Sequence, residues 1–581
     1  MRALDDARSA RARLEWPARA VLAVVLLLGS SLPVHGQIAA PVLKWQRGGC
    51  LSWGCQTGWY APPAVADLDG DGQAEVIGGS YDVVSLNGAT GSLEWRAPGT
   101  YRVWPGVAVA DLTGDGTLEV IVGGSSGRLT VYGRLGNVLW TADPFAGGEV
   151  RTLAVDDLEN DGQLEIVVGR ASGGATRQLS VYEPNGSVRP GWPARRDGEP
   201  GYGWGMYNEN VAVADMNGDG FKEIFGPTDT HYITALDRGG NQLPASAIYG
   251  TGKVWSQVGV HVDHAVDLRG YANCGVEHRP NFADSAPIVA DVNADGTPEM
   301  VVVGNVYNCG TDPYTSLYHM PFILKLDRTR WSGSGFDWTA IPSPGPGSGP
   351  RSEDYNVIQT AVPNPVAADL DGDGRLEVLF PSYDGKLHAY WLDKTEHGSW
   401  PYTVPGSGIR FAGEPAVADL DGDGHAEVLF TSWPENGGGR VGQLHVLDYL
   451  GNPLHVIDLP APFGGSCTIP FHVANTLRSG ASAIFRMYNP NNGRHYYTAS
   501  AGERRPPLHR QRRREERHPG RVPGHLGPAH QPGIRRALRR AKPAHPVSVR
   551  VTEARSIAAP AGPNDPARDA NASLRRAAGR P

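Results

Sequence analysis

Cysteine is scarce, with five in 581 residues, and no C-x-x-C pair occurs, which excludes a thiolate metal centre of the zinc-ribbon kind. Two local disulfides are expected instead, Cys50 with Cys55 in CLSWGC and Cys274 with Cys309, leaving Cys467 over. Long apolar runs are missing too. Past residue 36 nothing approaches the ~20 apolar residues of a membrane helix, so no transmembrane segment is expected after processing. Helical periodicity is absent through the middle of the chain, which argues against a bundle. Recognised catalytic signatures are also lacking: no G-x-S-x-G elbow, no H-E-x-x-H, no Walker loop.

What little apolar run exists lies at the start. Arg8, Arg11, Arg13 and Arg19 precede Ala20 to Leu28, and Val34-His35-Gly36 offers a small-residue cleavage site. Residues 1–36 therefore read as a secretory signal, too short in its apolar core to span a bilayer. The expected location is secreted, extracellular or in the cell envelope.

What the chain has in excess is one sentence written seven times. Copies of D-hydrophobic-x-x-D-G-x-x-E begin at Asp67, Asp111, Asp157, Asp215, Asp291, Asp369 and Asp419, 44 to 78 residues apart, and each runs into a β-branched or aliphatic stretch. Counting the first Asp as position 1, oxygen side chains fall at 1, 3, 5 and 9, with Gly at 6. A hard cation such as Ca2+ takes six to eight oxygens at roughly 2.3–2.6 Å, and a glycine turn lets one short loop converge on it. An EF-hand is excluded: its glutamate belongs at position 12, where the first copy has Gly78, and the flanks AVAD and EVIGG read as strands. Turn chemistry alone explains D-G-D-G but has no evident use for the glutamate kept at position 9.

Each copy opens a longer unit of four short strands joined by turns; in the second, VAVAD, EVIVGG, RLTVY and VLW follow one another. Such a repeat is the pattern of a β-propeller, in which each blade covers its neighbour. Seven units predict seven blades over residues 37–465. Pro41 to Gln46, PVLKWQ, is similar to the fourth strands SLEW and NVLW, and either completes the last blade or is a lead-in.

At this point the motif resembles the FG-GAP or VCBS repeat of integrin α-chain-like propellers, found also in secreted bacterial proteins, some fungal lectins and some polysaccharide lyases. The resemblance implies calcium held by side chains at positions 1, 3, 5 and 9 and by the carbonyl at 7. The implied sets are Asp67, Asp69, Asp71, Gln73, Glu75; Asp111, Thr113, Asp115, Thr117, Glu119; Asp157, Glu159, Asp161, Gln163, Glu165; Asp215, Asn217, Asp219, Phe221, Glu223; Asp291, Asn293, Asp295, Thr297, Glu299; Asp369, Asp371, Asp373, Arg375, Glu377; and Asp419, Asp421, Asp423, His425, Glu427. Several ions with a structural role are expected. Loops 1, 6 and 7 carry the full Asp set, whereas Asn217, Asn293, Glu159 and Thr113 vary position 3, and loop 2 is expected to be the weakest.

Three excursions widen the spacing: Gly198–Asn210, Gly250–Ala286 and Trp331–Val362. Long insertions on a regular scaffold are where binding is expected. The second holds His261, Asp263, His264 and Asp267, whose H-x-D-H could ligate a transition metal or supply a base, or be ordinary loop polarity. Residues 466–503 include IFRMYNPNNGRHYYTASAGE, which resembles one repeat of a β-trefoil-like module of secreted bacterial proteins. Residues 504–581 hold 18 Arg and one Lys against five acids and read as a disordered basic tail or a shifted frame. Net charge over the whole chain is −8, so the region before that tail is strongly acidic, which argues against nucleic acid as the propeller's partner.

The sequence thus predicts an all-β, seven-bladed calcium-binding propeller, a monomer acting as a binding or adhesion module for polysaccharide or cell-surface protein, with no catalytic residues assigned. A calcium-dependent polysaccharide lyase is the alternative.

Overall fold

The computed structural model describes residues 38–460, apart from 48, 51–54, 57–60, 80, 100–101, 171–177, 193–210, 272, 274, 284, 309–317, 346, 352–363, 407, 409 and 435–441, together with short strands at 471–475, 485–489, 494–498 and 549–550. The signal segment and the Gly198–Asn210 excursion lie outside the described residues, as do the cysteine side chains.

The chain is all-β, and its seven loops open seven antiparallel sheets in sequence order. Sheet 1 joins Ala64–Ala66, Glu75–Gly79, Val83–Asn87 and Leu93–Ala97 and is continued beyond its first strand by Val549–Arg550, from the tail expected to be disordered, then Phe485–Asn489 and Arg494–Thr498; sheet 2 joins Ala108–Ala110, Glu119–Gly123, Leu129–Tyr132 and Val138–Ala142. In sheets 3, 4 and 5 the fourth strand shrinks to a single bridge, Tyr182 with Val188, Leu236 with Gln242 and Leu324 with Arg330. One register recurs. The residue before each loop pairs with its closing glutamate: Ala66 with Glu75, Ala110 with Glu119, Asp156 with Glu165, and so on to Ala418 with Glu427. The eight-residue loop is therefore the hairpin connection between the first two strands, and the glutamate is the first rung of the ladder.

The second strands are buried on both faces: EVIGG, EVIVG and EVLFP are buried throughout. That explains their unbroken apolar runs, since a strand covered on both sides has no solvent face to alternate with. The apolar core lies between sheets. Six buried clusters fill the six junctions between successive sheets; Ile77, Val83, Val109 and Val120 unite sheets 1 and 2, and Leu379, Leu387, Val417 and Phe430 unite sheets 6 and 7. This is the layering of propeller blades.

A tryptophan series locks the same junctions. Trp140 Nε1 donates to Pro184 O at 3.0 Å, Trp192 to Arg238 O at 3.2 Å, Trp255 to Leu326 O at 2.7 Å, Trp338 to Leu392 O at 2.8 Å and Trp400 to Tyr449 O at 3.0 Å. In each case the donor belongs to the fourth-strand region of one unit and the carbonyl to a turn of the next. Trp95 lies in the same way over the turn glycine Gly136, where any Cβ would come within 2.6 Å of its ring.

The N-terminal strand extends the series rather than completing the seventh sheet, which has its own fourth strand, Pro453–Asp458. Val42–Arg47 pairs instead with Phe471–Asn475. Trp45 donates to Gly88 O at 3.0 Å, and His455, standing where the other units have tryptophan, donates to Ile38 O at 2.8 Å. The segment from Ile38 to Trp45 thus links the seventh unit to the first.

Candidate functional site: the acidic loops

Strand alternation puts all seven acidic loops at one end of the sheets. Turns between second and third strands, and connections from one unit to the next, occupy the other end.

Within each loop the backbone is folded by its own carboxylates. The Asp at position 1 receives the glycine amide of position 6 on one oxygen, at 2.7–3.1 Å across the seven copies. The Asp at position 5 receives the amide of position 7. Positions 4 and 6 take the left-handed conformation; Gly70 and Gly72 have φ of 80° and 87°, and even Asn160 and Ala294 adopt 58° and 59° at position 4. Asn tolerates that region, whereas Ala enters it at a cost.

The glutamate at position 9 has a structural use that turn chemistry did not suggest. In all seven loops its Oε2 accepts the amide of position 2: Leu68, Leu112, Leu158, Met216, Val292, Leu370 and Leu420, at 2.7–3.2 Å. Retention of the glutamate therefore follows partly from the hairpin itself. Its other oxygen decides what else the loop can hold.

Glu75 is 1 % exposed, and its Oε1 is buried with no hydrogen-bond partner. Burial and the nearby Glu94, Asp69 and Asp67 push this carboxyl up to about 7 despite the Leu68 amide. Burial likewise pushes Glu377 up to about 9 and Glu165, Glu223, Glu299 and Glu427 to about 7, so the raised carboxyl is common to most of the loops. Carboxylates crowded and dehydrated in this way call for a positive charge among them. In loops 1, 6 and 7 the oxygens also converge: Asp67, Asp69 and Asp71; Asp369, Asp371 and Glu377; and Asp419, Asp421 and Glu427 each bring ligand atoms within 4.8 Å of one another. These are the loops with the full Asp set, and their donor sets suit a hard cation. In loop 6, Trp391 Nε1 also holds Asp371 Oδ2 at 3.0 Å.

The other loops are bridged from within. Thr117 Oγ1 reaches Asp115 at 2.6 Å and Glu119 Oε1 at 3.4 Å in loop 2. Asn217 Nδ2 spans Asp219 and Glu223 Oε1 at 3.1 and 3.0 Å in loop 4. In loop 5, Asn293 Nδ2 turns to Asp295 and to Ser334 of the Trp331–Val362 excursion, at 2.9 and 2.8 Å. Neighbouring loops are stitched together as well: Lys222 N donates to Leu158 O, Leu376 N to Val292 O and Ala426 N to Leu370 O, at 2.9–3.0 Å. Rigidity in one loop is thereby passed to the next.

The other sequence candidate, H-x-D-H, resolves into scaffold. Asp263 caps the short helix His264–Arg269 by accepting the Ala265 amide. Asp267, fully buried, takes the His261 amide and the Arg330 guanidinium at 2.7 and 3.0 Å, with His261 Nδ1 at 3.1 Å and His264 Nδ1 at 3.4 Å. Burial would raise this carboxyl, but the two histidines and Arg330 hold it far below its ordinary value. H-x-D-H is thus a helix cap beside a closed ionic cluster. The run Gly123–Gly127, GGSSG, spells G-x-S-x-G, yet it forms a turn between two strands in which Ser125 exchanges hydrogen bonds with the Arg102 backbone. It is no nucleophile elbow, which needs a strand-to-helix turn.

Sequence reasoning missed the groups at the opposite end. Arg102 Nη2 reaches the Tyr81 hydroxyl at 3.2 Å, and the guanidinium carbons of Arg102 and Arg151 lie 4.8 and 3.5 Å from the Trp104 ring centre. Tyr81 is 39 % exposed. Arg151 also pairs with Glu149, and Arg96 with Asp82. Isolated arginines on separate strands and connections carry no sequence signal, because only the fold gathers them.

The repeat is a recognised one. FG-GAP-like repeats match residues 67–122, 157–226 and 365–430, which contain loops 1 to 4, 6 and 7. No curated protein matches the sequence. Among solved structures, the V. cholerae biofilm matrix protein Bap1 is 14 % identical, with 73 % of this chain and 84 % of that one covered and a TM-score of 0.31. BBS1N, solved in complex with ARL6DN, is 10 % identical over 73 % of this chain and 97 % of its own, at 0.35. Rhamnogalacturonan lyase YesW is 16 % identical over 77 % and 72 %, at 0.38. No ligand or activity transfers from likenesses of this degree.

Proposed function

We propose that this chain is a secreted, calcium-stabilised FG-GAP propeller that binds carbohydrate or a cell-surface protein, its ligand surface being the end opposite the acidic loops. The observation that supports this most is the segregation of charge and function along the strands. Carboxylates collect at one end, where loops 1, 6 and 7 are shaped for cations. At the other end, irregular connections gather Tyr81, Arg102, Trp104 and Arg151 into an aromatic and cationic cluster. On this reading calcium stiffens the hairpins that set blade spacing, and the unit-to-unit connections present the ligand surface. Residues 37–465 would form the propeller, exported by the 1–36 signal and working as a monomer. Among the described residues no helix is long and apolar enough to cross a membrane.

The test is to incubate the mature chain, with calcium and with chelator, against neutral and acidic polysaccharides, recording both retention and chain cleavage. Retention without cleavage, lost in chelator, supports the binding module. Calcium-dependent appearance of new chain ends would overturn it in favour of a lyase.

A further inference from the structure

Loop 6 pairs its own Arg375 with Asp373, but loop 3 receives an arginine from outside the motif, later in the same unit. Position 3 is Glu159, one methylene longer than the usual Asp, and its carboxylate forms an ion pair with Arg189 Nη2. Arg189 Nη1 lies 3.2 Å from Glu183 Oε1 and 3.5 Å from Oε1 of Glu165, the oxygen that is orphaned in loop 1. The arginine side chain is 13 % exposed. Its backbone is fixed by the Arg189 N–H to Val181 O bond at 2.9 Å, beside the Tyr182–Val188 bridge, so the guanidinium is delivered by the sheet and not by a free loop. A second cation, Arg238 from the next unit, stands 3.9 Å from Glu159 Oε1.

We propose that Arg189 is the resident cation of loop 3, taking the place calcium holds in loops 1, 6 and 7, so that this hairpin is rigid without metal. The chemistry is consistent. A guanidinium is a planar fork of donors that serves several carboxylates at once and never loses its charge, and the longer Glu159 leaves it room where Asp would draw the loop around a small ion. Asp157 and Asp161 keep their bonds to the turn amides, so the loop's shape is retained while the ion is replaced. Glu183, outside the repeat motif, supplies an additional carboxylate.

This inference rests on the reading that the other loops take calcium, and the experiment separates the two. Calcium stoichiometry by calorimetry, terbium luminescence and thermal unfolding in chelator and in calcium would be measured on the whole chain, on Arg189→Ala, on Arg189→Lys and on the pair Arg189→Ala with Glu159→Asp. The expected result is that the pair binds one ion more than the parent. Arg189→Ala alone should unfold at a lower temperature in chelator and recover with calcium by more than the parent does, while Arg189→Lys keeps the parent stoichiometry. Unchanged stoichiometry in the pair, with unfolding of Arg189→Ala like the parent's in chelator, would overturn the proposal. Should the parent bind no calcium while Arg189→Ala still loses stability, calcium in the sister loops is refuted and the arginine's role as internal cation stands. Should Arg189→Ala fail to fold, Arg189→Gln takes its place: an unfolding temperature that is lower in chelator and that calcium restores by more than in the parent counts for the proposal, and parent unfolding in both conditions counts against it.

Discussion

Trp45→Ala tests whether the N-terminal strand closes the structure or merely leads into it. Trp45 is 8 % exposed, donates to Gly88 O at 3.0 Å, and lies so close to Gly91 that a Cβ there would meet its ring at 2.6 Å. Truncating a buried tryptophan costs about 3–5 kcal/mol, and its hydrogen bond adds about 1 kcal/mol. Against a total stability of about 5–15 kcal/mol for a cooperative domain, that is about a quarter or more of the whole. The assay is urea unfolding followed by circular dichroism, with Leu43→Ala as control, since Leu43 on the same strand is 50 % exposed and a surface change of this kind costs within about 0.5 kcal/mol. The expected outcome is a large fall in midpoint for Trp45→Ala at unchanged slope, and parent behaviour for the control. If both variants unfold like the parent, the strand carries no share of the closure and the tryptophan series ends at six members.

Glu75→Gln should weaken calcium at loop 1 by about ten-fold or more, or ~1.4 kcal/mol, read in a chelator-buffered titration, because it removes the charge from the orphaned Oε1; an unchanged affinity would place the ion elsewhere. Thr113→Asp should strengthen loop 2 in the same titration by supplying the missing carboxylate at position 3. Asp267→Asn should cost about 3–5 kcal/mol, since it leaves the buried Arg330 without its counter-ion, whereas Asp263→Ala, losing a helix cap, should cost ~1 kcal/mol; equal effects would refute the ionic assignment. His388 gives a pH signature. Burial pulls it down, but Asp384 at 3.2 Å and Glu396 at 3.0 Å overcome that and push it up to about 9. A raised histidine stabilises the fold fully below its ordinary value near 6.5 and ceases to do so as pH rises through about 9. The unfolding midpoint should therefore fall across that window, and His388→Gln should flatten the fall.

Much of this fold was legible because its information is local and repeated. A nine-residue loop carries its own ligands, turn glycines and closing glutamate, and seven copies make the strand order readable from spacing alone. The ranking of loops by charge at position 3 was also readable, and the geometry gathers oxygens in loops 1, 6 and 7, where the charge was highest. What escaped was contact between distant positions. Trp45, Trp140, Trp192, Trp255, Trp338 and Trp400 each meet a backbone carbonyl 43 to 71 residues away, and a carbonyl has no letter of its own in a sequence.

The same limit governs loop 3. Its Glu159 reads as a weakened calcium ligand until Arg189, outside the motif, is seen beside it. A carboxylate pattern records how much negative charge a loop gathers, but not what answers that charge. In loop 1 a buried oxygen is left without a donor; in loops 2, 3 and 4 the same oxygen meets a threonine hydroxyl, a guanidinium and a side-chain amide. If calcium answers the first and the chain itself the others, chelation should soften the junctions of units 1, 6 and 7 and spare that of units 3 and 4, where Lys222 and Asp156 also form a buried ion pair. Hydrogen exchange resolved by peptide reads this directly. Uniform loss of protection around all seven hairpins in chelator would mean that the internal donors do not substitute for the ion.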